Sequence, residues 1–296
     1  MMFSATDAAF SGFRAGREHF RAMLIWIPLT AVASAGTIAL MIQMAGPELM
    51  ALQAMNGQVN PDPDVVMQML KPLGLIYLAF IPLTLIYYVV IYAAVNRVIQ
   101  RPGDSAFGYL RLGGDELRQL AVMIGLALVM LFVYLIGAVG VVLIAVAVGA
   151  VNKGLATLAG ILATLALVAG LVFISVRLSL ASAQTFDTGK INLFGSWRLT
   201  RGRVWPMLGA YILTLILTVV VYSALFAIVA LAVVLVGGGF TALGGIMQPD
   251  MSSLAGVFTP GYLIYLAGMS IAAPFLTLIM YSPAPTIYRM LTAGEA

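Results

Sequence analysis

Cysteine is absent from this 296-residue chain, and histidine occurs once, at His19. The first absence excludes disulfides, thiolate metal sites and cysteine nucleophiles together. The second leaves no histidine pair for a zinc site, and His19, flanked by Arg17, Glu18 and Arg21, reads as a solvated surface residue. Charge is scarce too: 9% of residues are Asp, Glu, Lys or Arg, against about 25% in a soluble domain. No Asp, Glu, Lys or His lies deep inside an apolar run, where proton pumps and ion-coupled transporters hold such groups. Gly237-Gly238-Gly239 and Gly244-Gly245 lack the Lys and Ser/Thr sequel of a P-loop.

What fills the chain is apolar. Hydrophobic residues make up 62% of it and the mean hydropathy is +1.06. Several runs exceed the roughly 18 residues that cross a bilayer as a helix, and none alternates as an outer-membrane strand does. The expected fold is therefore all-α integral membrane, a single membrane domain over 1–296. Six transmembrane helices are expected: Ala22 to Ala45, Pro72 to Asn96, Leu120 to Ala150, Leu155 to Val176, Pro206 to Val236 and Thr259 to Tyr281. Ala33-Ser34-Ala35 resembles a signal-peptide cleavage site, but the apolar run continues past it as an anchor would.

Orientation follows from the cations. Thirteen of the fifteen Lys and Arg residues precede the first span, lie between spans two and three or four and five, or follow the sixth; only Lys71 and Lys153 fall on the other side. This bias predicts cytoplasmic N- and C-termini in a bacterial inner membrane. The net charge of +4 thus reports topology and gives no reason to invoke nucleic acid.

One short pattern occurs three times, each copy before an apolar run. Phe10-Ser11-Gly12-Phe13-Arg14, Phe107-Gly108-Tyr109-Leu110-Arg111 and Phe194-Gly195-Ser196-Trp197-Arg198 align without gaps, their starts 97 and then 87 residues apart. The chain reads as three pseudo-repeats, about 3–100, 101–188 and 189–296, each an interfacial amphipathic helix plus a transmembrane hairpin. On a helix, Phe10, Phe13 and Phe20 share a face, as do Phe107, Leu110 and Leu117. Such basic elbows would lie along the interface with rings among acyl chains and guanidinium groups on lipid phosphates. The candidate lipid- or partner-contacting residues are Arg14, Arg17, Arg21, Arg111, Arg118, Trp197, Arg198, Arg201, Arg203 and Trp205. Ordinary interfacial anchors that recognise no particular lipid would carry the same residues. Gly108 and Gly195, at one aligned position, point to close packing of each elbow on the bundle.

Other constellations are weaker. Asp115 and Glu116 are expected to pair with Arg111 and Arg118 along their own helix, and Arg177 to snorkel at the end of the fourth span. Asp62 and Asp64 could hold a cation on the loop after the first span, although the alternating prolines read as a stiff turn. Small residues from Ala156 to Gly170 form a stripe suited to close helix approach, within the chain or in a homo-oligomer. Thr84, Tyr87, Tyr88, Tyr92, Tyr134, Tyr211, Thr214, Thr218, Tyr222, Tyr262 and Tyr265 could line a hydroxyl-rich cavity, or serve as aromatic belt and packing. No cofactor, metal site or catalytic residue is indicated.

The stretch from Val176-Arg177-Leu178 to Ser196-Trp197-Arg198-Leu199-Thr200-Arg201-Gly202 resembles the fourth-to-fifth-span segment of the membrane domain of glycerophosphoryl diester phosphodiesterases and of related stand-alone six-span proteobacterial proteins. The residues carrying the resemblance are Arg177, Ser196, Trp197, Leu199, Thr200 and Gly202, with Asp187 standing where that family has a Glu. It implies a membrane module linked to phospholipid biology. It implies no phosphodiesterase activity, because catalysis in the fused members belongs to a separate soluble barrel. The expected function is a non-enzymatic module that binds anionic headgroups or a cytoplasmic or membrane protein partner; a permease or channel for a small or lipid-like solute is the alternative.

Overall fold

The computed structural model describes residues 4–55 and 63–293. Asp62 lies outside them. The chain is helical throughout, with no strand among the described residues. In chain order the helices are α1 (Ala5–Ala9), α2 (Ser11–Glu18), α3 (Phe20–Ala54), α4 (Pro63–Gln100), α5 (Gly114–Gly149), α6 (Lys153–Leu178), α7 (Ala181–Thr188), α8 (Gly195–Leu199), α9 (Val204–Val236), α10 (Gly244–Met247), α11 (Leu254–Val257), α12 (Pro260–Tyr281) and α13 (Pro283–Thr292). Short 3-10 turns occupy Ala106–Tyr109 and Phe240–Leu243.

Local chemistry sets the ends. Asn152 caps α6, its Oδ1 accepting from the amides of Gly154 at 2.8 Å and Leu155 at 3.1 Å. Thr259 caps α12 ahead of Pro260, whose missing N–H costs nothing in a first turn. Gly189 closes α7 in the left-handed conformation that ends many helices.

The six long helices α3, α4, α5, α6, α9 and α12 are long and apolar enough to cross a membrane. They cover the expected spans to within one residue, Ala150 and Thr259 serving as caps of α5 and α12, and run past several of them, because the polar residues at those ends also take helical geometry. Each packs on the next in chain order, and α12 packs back on α3, so the six close into a ring.

Packing within the ring is uneven. Two of the three buried apolar clusters sit at the end that carries α1, α2, α7, α8 and α13, called the elbow end below. One gathers Met23, Trp26, Ala94, Val98, Tyr109 and Leu278; the other gathers Ala8, Val176, Leu180, Met207, Ile287 and Leu291. A smaller cluster of Ile42, Val257 and Tyr262 ties α3 to α11 and α12 at the far end. The only buried residues of α5 are Glu116, Gln119 and Val122, and those of α6 are Val176, Arg177 and Leu178, all at the elbow end. Lipid is as apolar as leucine, so no hydrophobic gain draws the rest of this hairpin onto its neighbours. Within the hairpin, Ala156 lies on Gly149 and Gly160 on Ala145, so the upper small-residue stripe serves α5–α6 packing, while Gly170 faces open space.

The tightest approach of an elbow to the ring is at Gly12. A Cβ there would stand 2.4 Å from the Ile279 Cα and the Leu278 carbonyl oxygen of α12. Both are backbone atoms and cannot step aside. Gly12→Ala is expected to destabilise the protein by about 1–3 kcal/mol. Gly36→Ala, with nothing within 4 Å of the new atom, should leave stability unchanged or slightly raised. Thermal unfolding of both variants in one detergent checks the contrast.

Candidate functional site

The three aligned segments lie together at the elbow end, each resting on a different part of the ring. The first, α1 and α2, packs on α9 and α12; the second, around Ala106–Tyr109, packs on α3 and α4; the third, α8, packs on α6 and α7. Their third positions, Gly12, Tyr109 and Ser196, are all buried, and their fifth, Arg14, Arg111 and Arg198, are all exposed.

The second segment differs from expectation. Phe107, Leu110 and Leu117 do not share a helix face, because Phe107, Gly108 and Tyr109 all have positive φ, at 53°, 62° and 68°. Non-glycine residues there cost of order 1–3 kcal/mol each, so the neighbours must hold them. The Trp26 indole donates to the Gly108 carbonyl at 2.6 Å, Arg97 donates to the Tyr109 carbonyl at 2.7 Å, and the Tyr109 hydroxyl donates to the Pro102 carbonyl at 2.8 Å. The turn throws Phe107 and Leu112 outward, 81% and 83% exposed. His19 is drawn in rather than solvated: its Nδ1 is 3.0 Å from the Tyr109 hydroxyl.

Arg97 sits at the centre of this end. It is 1% exposed and pairs with the buried carboxylate of Glu116. Asp115, 3.5 Å from Arg97, also binds Arg118 at 2.6 Å and Arg101 at 3.3 Å. The expected pairing along one helix therefore holds only for Asp115 with Arg118. Glu116 reaches across to α4, and Arg111 turns to Asp104, to which it donates twice. Counting Arg97 among loop cations misses its role; the available signal is that Asn96 and Arg97 continue the helix of an apolar run without a break. Arg101 stacks on Phe186 at 4.5 Å and donates to its carbonyl at 2.8 Å. Gln119 and Ser182 exchange side-chain and backbone hydrogen bonds at 2.6 and 3.0 Å, which fastens α5 to α7.

The residues behind the family resemblance converge at the third segment. Arg177 does not snorkel; it is buried, with its guanidinium 4.4 Å over the Trp197 ring. The Ser196 hydroxyl donates to the Arg177 carbonyl at 3.0 Å, and the Thr200 hydroxyl, one helical turn on, shares its proton between that carbonyl at 3.3 Å and the Ser196 carbonyl at 2.9 Å. A carbonyl near a helix C-terminus lacks some intrahelical donors, and these two hydroxyls supply them. Leu199 packs on the second apolar cluster, and Gly202, at φ 74°, makes the left-handed turn into α9. Asp187 accepts from the Tyr288 hydroxyl at 2.8 Å. Each motif position thus has a structural task in joining α6, α7, α8 and α13.

The remaining cations face outward. Arg17, Arg21, Arg198 and Arg201 are exposed and make no ion pair among the described residues. Arg14 leans on Asp7 at 3.6 Å, Arg203 donates to the Leu199 carbonyl at 3.2 Å, and Trp205 is exposed. Ring contacts sort the tyrosines of the spans into two groups. Tyr87 meets Tyr88, and Tyr92 meets Tyr281, in α4 and α12, whereas Tyr222, Phe226, Tyr265 and Tyr262 form a chain between α9 and α12. Thr214 and Thr218 bond carbonyls of their own helix, and Tyr211 bonds Ser179 at 2.7 Å. Among the described residues no three His, Asp or Glu side chains group to hold a metal ion. No protein-family model, curated protein or solved structure matches the chain.

Removing one partner of a buried ion pair costs about 3–5 kcal/mol, whereas replacing both by apolar residues is far milder. Arg97→Met is therefore expected to lower the unfolding temperature markedly, and Arg97→Met with Glu116→Leu to recover part of the loss. Thermal unfolding of the two variants in detergent measures it.

Proposed function

We propose that the chain is a multi-pass bacterial inner-membrane module, with both termini cytoplasmic, that acts without catalysis by holding three basic elbows against anionic lipid headgroups. One observation carries the reading: the three aligned segments bury the same position against the ring and expose the same arginine at one end. A ring in which each segment braces a different hairpin suits three equivalent elbows. Exposed arginines beside Phe10, Phe107, Phe194 and Trp205, all largely exposed, match the interface of a bilayer, where rings sit at headgroup level and guanidinium groups meet phosphates.

The likeness of Arg177, Asp187 and Ser196 to Gly202 to the membrane domain of glycerophosphoryl diester phosphodiesterases agrees with a role near phospholipids. Those residues are spent on joining helices, so the recognition surface is assigned to the outward arginines instead. A cytoplasmic protein partner would use the same surface.

Each exposed headgroup contact is worth about 1 kcal/mol, so single changes are too small to read. Combining Arg14→Ala, Arg111→Ala and Arg198→Ala is expected to cut retention of phosphatidylglycerol on the gently extracted protein, measured by native mass spectrometry, without loss of folded protein. Unchanged retention contradicts the reading, and absence of bound anionic lipid on the wild type turns attention to solute flux in liposomes.

A further inference from the structure

We propose that one anionic glycerophospholipid of the bilayer has a discrete seat where the first two elbows meet, its phosphate beside Arg17 and Arg21 and one acyl chain in the groove between α3 and α4. The proposal rests on the headgroup reading above and names where and how one lipid is held.

Two cavities adjoin there. The upper, of about 430 Å³, is walled by Arg17, Glu18, His19, Arg21, Ser105 and Tyr109, among others, with Ile25 at its floor. The lower, of about 610 Å³, begins at the same Ile25 and runs down between Leu29 and Ala33 of α3 and Leu83, Ile86 and Val90 of α4, under Phe107 and Leu112. Both volumes fall within the roughly 300–1,000 Å³ of small-molecule sites.

Charge complementarity selects the occupant. Arg17 and Arg21 make no ion pair among the described residues, whereas Arg111, the one ionic residue on the lower cavity, shares its exposed guanidinium with Asp104. Unpaired positive charge therefore stands at the top, while the walls below are apolar apart from Arg111. Glu18 shares the upper wall, leaving a net positive pocket suited to one phosphodiester. A free phosphate would use the top alone; a lipid uses both halves.

The roof of the lower cavity is a built feature. The left-handed run Phe107-Gly108-Tyr109 is held by Trp26 and Arg97, and a Cβ at Gly108 would stand 3.0 Å from the Ala22 carbonyl. Without that turn Phe107 and Leu112 would not overhang the groove. At the third elbow Trp197 instead lies over Arg177, so the arrangement is particular to the first two.

The test uses the full chain in phosphatidylcholine nanodiscs carrying a little phosphatidylglycerol with a diazirine in mid-chain. Photolabel is expected on peptides covering Leu29–Ala33 and Leu83–Val90, competed by unlabelled phosphatidylglycerol but not by phosphatidylcholine or inorganic phosphate. The exposed pair Arg17→Gln and Arg21→Gln should lower it at least fivefold, and Ala33→Trp should remove it from α3 and α4. Label that is indifferent to headgroup, or unchanged in the arginine pair, overturns the seat. A wild type that retains phosphatidylglycerol yet labels elsewhere defeats the seat alone. A wild type that shows no preference for phosphatidylglycerol anywhere defeats the headgroup reading as well.

Discussion

A protein dissolved in lipid gains little by burying apolar side chains against one another, and this constraint organises the whole molecule. Something other than the hydrophobic effect must hold six spans together. Here it is the polar layer at the elbow end, centred on the Arg97 guanidinium. That group binds a carboxylate of α5 and the carbonyl of Tyr109 while it belongs to α4. Around it Arg101, Gln119, Ser182, Arg177 and Ser196 fasten α4, α5, α6, α7 and α8 by hydrogen bonds and stacking. Away from that layer α5 and α6 bury no residue, as a lipid-facing surface allows.

The elbows follow from the same constraint. They close the ring from outside: the first covers the last hairpin and the second covers the first, through Gly12 on α12 and Gly108 on α3. Their buried positions are small or hydrogen-bonded, and their outward positions are basic and aromatic. A segment built this way seals helix ends and keeps its charge on the outside.

Some of this is legible in the sequence and some is not, for physical reasons. Apolar runs and scarce charge reveal spans because the lipid core tolerates little else, and the six long helices cover them to within a residue at the end of α5 and the start of α12. The repeated Phe-x-x-x-Arg pattern leads to segments that do gather at one end. The shape of the second segment is hidden, because three consecutive left-handed residues are held by Arg97, on the preceding helix, and by Trp26, 82 residues from Gly108. Glu116 stands two residues from Arg118, on a different side of the helix, and only the fold brings Arg97 across the bundle to it. Arg177 at a span end invites a snorkelling reading, yet Trp197 nearby offers its ring face and keeps the side chain inside. The Ser-Trp-x-Leu-Thr-x-Gly motif is visible as a motif, while its work in capping α6 and turning into α9 appears only once the carbonyl of Arg177 is located.

The central claim is that the first elbow closes the ring on the last hairpin. Because the chain has no cysteine, one introduced pair reports without background. A Cβ at Gly16 would lie 3.7 Å from the Phe275 ring, so Gly16→Cys with Phe275→Cys, treated in native membranes with a short thiol-to-thiol cross-linker, should become linked within one chain. Failure to cross-link, or linkage only between two chains, would contradict the closed ring.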